Sequence, residues 1–139
     1  MLACGMQDYR RLLVWQKAHA LALEIQSLTE QWPRARNAAL VSQMRRAGLS
    51  VPANIAEGCV RASDREFARF LQIALGSAVE LEYHLEFAAD ARIMARAGYE
   101  SVQPRINEVR RMLVGLMKRL RGPAVAKSRV VSHEGKSSS

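Results

Sequence analysis

Apolar residues recur along most of this chain at alternating steps of four and three, the spacing that keeps one stripe along a helix. Between about Asp8 and Trp32 the stripe is Val14, Ala18, Leu21, Ile25, Leu28 and Trp32, and Pro33 stops it. A second runs through Leu40, Met44, Ala47, Val51 and Ile55. A third, Phe67, Leu71, Ala74, Ala78, Leu81, Leu85 and Ala88, follows "SDRE", where Ser63 and Glu66 have the spacing of a capping box. The fourth holds Val102, Ile106, Val109, Leu113, Leu116 and Leu120, with Ser101 as its expected cap and Pro104 in its first turn. Gly98 is the expected stop of the third helix, and Gly122 with Pro123 that of the fourth.

These patterns predict an all-α protein, an antiparallel up-down four-helix bundle over residues 8–121 with helices at about 8–32, 38–62, 64–94 and 100–121. Residues 1–7 are expected to be disordered, and the serine-rich, basic stretch 122–139 to form a flexible tail.

Pro52 interrupts the second pattern. It removes a backbone donor and crowds the carbonyl of Gly48, which in a helix interior costs about 3 kcal/mol. The stripe keeps its phase from Leu40 to Ile55, so one helix kinked at Pro52 is expected, the alternative being a break with Ser50 capping a new segment.

Beside the apolar stripes lies a polar one. Gln43, Ala47, Ser50, Asn54, Glu57 and Arg61 recur on helix 2, and Ile73, Ser77, Glu80 and His84 on helix 3. Gln43, Ser50, Asn54, Glu57, Ser77, Glu80 and Glu82 are therefore candidates for a polar seam that specifies helix pairing or subunit contacts, with solvated faces as the alternative. A buried Glu57 would need a cation or several donors.

Charge narrows the candidate functions. The net charge is +8 over 139 residues, and it is unevenly spread: helices 2 and 4 are basic and helix 3 acidic. Complementary contacts within or between bundles would explain this. So would a phosphate-binding surface made by Arg45, Arg46, Arg61, Arg110, Arg111, Lys118 and Arg119. Few aromatics interleave with these cations, so the expected contact with RNA or DNA is electrostatic rather than by base stacking.

No catalytic or metal site emerges. Glu80 and His84 are four apart, and no second Glu/His pair completes a carboxylate metal centre, which requires Glu-x-x-His on two helices. Glu57 and Glu82 do not repair that pattern. No nucleotide-binding glycine loop or nucleophile elbow occurs. Gly76 and Ser77 read as small residues at a helix crossing, Cys59 as a small packed thiol, and His19 as a partly buried polar residue near Trp15. The chain is therefore expected to be non-enzymatic, with no cofactor. Two cysteines, one near the start, argue against a disulfide framework and for a reducing, cytoplasmic setting. "MLACG" offers no signal segment, and charges interrupt every apolar run before it could span a bilayer.

"QMRRAGLSVPANIAEGCVR", followed by "FARFLQIALGSAVELEYHL" and preceded by "LLVWQKAHAL", resembles the bacterial four-helix-bundle family first noted in intervening sequences of large-subunit ribosomal RNA genes. The accessory protein of diversity-generating retroelements is similar. The resemblance spans about Tyr9 to Leu120. It implies a ring-like homo-oligomer, a homopentamer, with no assigned catalytic residues. It also implies nucleic-acid binding and a reverse transcriptase or other protein partner for the retroelement members. Gly48 departs from the usual alanine. The expected function is a nucleic-acid-associated adaptor acting through basic helices 2 and 4; the alternative is an interaction module whose charges serve only assembly.

Overall fold

The computed structural model describes residues 8–61 and 63–137, without the side chains of Arg34 and of residues 123–137. A short 3-10 turn, Tyr9–Arg11, leads into α1 (Leu13–Glu30), α2 (Arg34–Cys59), α3 (Asp64–Asp90) and α4 (Arg96–Ser137). No strand occurs among the described residues. Consecutive helices pack side by side, α4 closes back on α1, and the diagonal pairs α1/α3 and α2/α4 have no backbone approach. The expected disorder of 1–7 lies outside the described residues, and the expected flexible tail falls almost wholly on residues whose side chains do.

The apolar stripes form one core. Ile25, Met44, Ile55, Leu71, Leu81, Leu85, Ile106 and Leu113 are all fully buried. At roughly 25 cal/mol per Å² of apolar surface, each such side chain contributes about 1.5–3 kcal/mol, which is why the four-three repeat rather than helix propensity fixes the fold. Leu28, Leu40 and Leu120, at stripe ends, are only half-buried.

Helix ends differ from expectation where local hydrogen bonds decide. The chain before Leu13 is not α-helical: the Asp8 carboxylate accepts from the Arg10 amide at 3.0 Å, capping the 3-10 turn, and Leu12 is extended. In α2, Asn37 alone has non-helical dihedrals (φ −119°, ψ 16°), and its side-chain amide donates to the Pro33 carbonyl at 3.0 Å. Pro52 is buried inside an unbroken helix, so α2 is one helix, but its departure from helical dihedrals is at Asn37 and not at the proline. Ser63 caps α3 as expected, its hydroxyl accepting from the Glu66 amide at 3.1 Å, whereas the Glu66 carboxylate lies 3.8 Å from Arg69 Nε.

The α3–α4 connection departs most. α3 ends at Asp90 rather than near 94, because Arg92 takes a left-handed conformation (φ 63°). The Ile93 amide donates to the Ala88 carbonyl at 2.8 Å and the Arg92 amide to the Ala89 carbonyl at 3.1 Å, a Schellman close with arginine in the place glycine favours. α4 then starts at Arg96, which makes Ser101 an interior residue and not a cap. Gly122 leaves the helical region (φ 81°) at the predicted stop of helix 4.

Candidate nucleic-acid interface

At the turn between α2 and α3 the two helices approach closely at Gly58. A Cβ on Gly58 would lie 2.8 Å from Phe70 Cβ and 2.9 Å from Phe67 Cδ1, so only glycine lets the end of α2 sit against the first turns of α3. Phe70 is buried, and two guanidinium groups lie on its ring, Arg61 of the α2–α3 turn at 4.8 Å and Arg69 of α3 at 4.7 Å. Each such contact contributes about 0.5–1 kcal/mol at an exposed site and holds the cation in place.

Antiparallel packing brings the end of α4 to the same place. Asp64, Arg65, Glu66, Arg69 and Gln72 of α3 line an open groove of about 930 Å³ with the capping Ser63 and with Leu120 and Arg121 of α4, so that three arginines and two carboxylates share it. Arg10 and Arg11, just before α1, belong to this end of the bundle as well. Among the residues at this end, Arg10, Arg11, Arg61, Arg65, Arg69, Lys118, Arg119 and Arg121 outnumber Asp8, Glu57, Asp64 and Glu66 two to one, so the end is basic. The carboxylates are largely occupied. Glu57 accepts from Arg61 at 2.6 Å, Asp8 pairs with Arg10 at 3.1 Å, and Glu66 lies near Arg69. The Arg10 amide, followed by its side chain, holds the Asp8 carboxyl below the ordinary carboxylate range. Arg65, Lys118, Arg119 and Arg121 pair with no carboxylate among the described residues. The first turn of α3 adds the positive end of a 27-residue helix, where Ser63 already caps the Glu66 amide and Asp64 and Glu66 supply negative charge.

The seven cations expected to form one surface are thus divided. Arg61, Lys118 and Arg119 belong to this end. Arg46 is exposed on α2, diagonally across from α4 and its exposed Arg111. Arg45 faces inward, its Nε donating to the Thr29 hydroxyl at 2.9 Å; Thr29 is only 1% exposed. Arg110 forms an ion pair with Glu82 on α3. Arg65, Arg69, Arg121 and Phe70 were not foreseen from the sequence. The available signal was the four-residue recurrence of arginine at 61, 65 and 69 across a turn that brings helix ends together.

The polar seam divides too. Across α2 and α3 the Ser77 hydroxyl donates to the Ser50 hydroxyl at 2.8 Å, and the Asn54 amide donates to the Ser50 carbonyl at 2.8 Å and hydroxyl at 3.0 Å. Between α3 and α4, Glu82 accepts from Gln103 at 2.9 Å and pairs with Arg110. Gln43, Glu57 and Glu80 are exposed. Gly76 is exposed with nothing within 4 Å of a Cβ there, so the helix-crossing reading holds for Ser77 and not for Gly76. His19 is exposed and stacks on Trp15 at 4.8 Å, rather than being partly buried. Cys59 is buried and disulfide-bonded, not a free packed thiol, which removes the ground for expecting a reducing, cytoplasmic setting. No group of three or more His, Cys, Asp or Glu able to hold a metal ion occurs among the described residues. No helix among them is long and apolar enough to cross a membrane.

Comparison with known proteins places this architecture. Among curated proteins none matches the chain. A crystal structure of a protein of unknown function from the S23 ribosomal protein family of Bacteroides thetaiotaomicron superposes with a TM-score of 0.70 at 29% identity, covering 76% of this chain and 99% of that one. The family profile for the 23S rRNA-intervening sequence protein matches residues 10–115, from before α1 to within the last turns of α4 that face the core. With its fold and most of its length accounted for, the chain belongs to the 23S rRNA-intervening sequence protein family.

Proposed function

We propose that this protein is a non-enzymatic, self-associating adaptor that holds nucleic-acid phosphates at the basic end of its bundle, where α2, α3 and α4 meet. One observation carries the reading: Arg61, Arg65, Arg69 and Arg121 gather around the first turns of α3, two of them braced on Phe70. Carboxylates there are fewer, and all but Asp64 lie against an arginine, so the local field favours polyanions. Phe70 is buried under its arginines and offers no open face to a base, so contact is with the backbone and independent of sequence. The family resemblance supports assembly into a ring of five, which would multiply such ends and raise avidity. The adaptor would bring nucleic acid to a protein partner, a reverse transcriptase in the retroelement members it resembles.

The test is a binding titration with RNA and with DNA at several salt concentrations. Affinity falling steeply with salt is expected for both; no binding at low salt, or binding indifferent to salt, contradicts the reading. A second reading, charges serving assembly alone, is favoured by α3, whose exposed Glu80 has no partner among the described residues.

A further inference from the structure

Three rings line up along α1. Tyr9 meets Trp15 edge-on, with centroids 5.1 Å apart, and Trp15 stacks on His19 at 4.8 Å with the two planes 11° apart. Tyr9 and Trp15 are half-buried and pack against the core, so together they pin the 3-10 turn to the start of α1. Packing does not account for His19. It is exposed, and among the described residues its ring contact is Trp15 alone, so the face turned away from Trp15 is open. Leu23, one helical turn further on and 56% exposed, extends the row.

We propose that this row is a stacking platform for an unpaired base of a single-stranded nucleic acid whose phosphates lie on the basic end of the bundle. The platform rests on the phosphate reading and narrows its ligand to single strands. Position and charge both support it. The Arg10 guanidinium lies over the Tyr9 ring at 4.7 Å, and Arg11 is exposed and has no ion pair among the described residues. Their 3-10 turn packs on α2, whose end leads into Arg61, so the rings adjoin the basic end. His19 is only about 9 Å along the axis from the start of α1, so one strand can reach both cations and ring. No carboxylate stands in the row Trp15, His19, Leu23 and Gln26, and Glu24 beside it is held by Arg105 of α4. A cationic peptide finds no countercharge there, whereas a nucleotide brings a π-face for the ring and a phosphate for the arginines. Stacking accepts any base, so it adds affinity without adding sequence preference.

Binding of two labelled probes at low salt tests this: oligothymidylate, and an abasic oligomer of the same length that keeps the phosphates and lacks the bases. The native chain is expected to bind oligothymidylate about tenfold more tightly, within the range of one stacked base. Trp15→Leu combined with His19→Ala removes both rings while leaving an apolar side chain over the core, and it is expected to bind the two probes equally. Tyr83→Ala, which removes an exposed ring from α3, is expected to keep the native ratio. Equal binding of the two probes by the native chain overturns the proposal, as does a native ratio in the double variant or an equal loss in Tyr83→Ala. The comparison of probes on the native chain keeps the test readable if Trp15→Leu disturbs the fold. Equal binding of both probes that weakens in Arg65→Ala leaves the phosphate reading standing and the platform refuted, whereas no binding of either probe refutes both.

Discussion

A methyl group added at Gly58 would fall inside contact distance of Phe67 and Phe70, both buried, so neither ring can yield without disturbing the core. Gly58→Ala is therefore expected to destabilise by about 1–3 kcal/mol in chemical denaturation, the usual range for overpacking. Gly48 is the contrast: its Cβ would meet Ala22 Cα at 3.8 Å, an ordinary contact, so alanine fits there. At Arg92 the opposite change helps. Its left-handed backbone is strained for any residue with a Cβ, and Arg92→Gly should raise stability by about 1 kcal/mol, read as a higher melting temperature. Ser77→Ala removes the donor to Ser50 across the α2–α3 contact and should cost about 1 kcal/mol.

At the scale of the elements, the apolar stripes were legible because burial has the helix period, and nearly every stripe residue is in the core. Ends were less legible because they turn on single hydrogen bonds. Nothing in "AADARIMARAG" marks Arg92 as the residue that ends α3, since glycine is the usual sign and Gly98 lies six residues on. Ser101 looked like a cap only because the turn of helix before it, Arg96 to Glu100, lacks a strong apolar stripe. Tyr99, in that unforeseen turn, is half-buried, and burial, then the nearby Glu86 and Glu82, raises its phenol above the ordinary value of 10.0. A raised folded pKa holds the proton in the native state. The associated stability is intact below the unfolded value and falls away as pH rises through the folded one. Alkaline melting should therefore fall more steeply for the native chain than for Tyr99→Phe; identical alkaline profiles would contradict this burial effect.

For the whole molecule, the sign and helix of each charge were legible in the sequence, but not which charges meet. Helices 2 and 4 are both basic, yet they stand diagonally opposite, and no continuous face joins Arg46 to Arg111. Arg45 and Arg110 are occupied by Thr29 and Glu82, neither of which is their neighbour in sequence. What the fold assembles instead is the end where Arg61 and Arg69 share one phenylalanine and Arg65 and Arg121 face one groove. The most direct measurement is the salt dependence of RNA binding by the native chain and by Arg65→Ala, Arg69→Ala and Arg121→Ala, with Arg46→Ala as the control. If the basic end holds phosphate, each of the three variants binds more weakly and lowers the slope of log affinity against log salt by about 1 for each phosphate no longer neutralised, while Arg46→Ala leaves both unchanged. Equal weakening at Arg46, or slopes unaltered in all three variants, would contradict it.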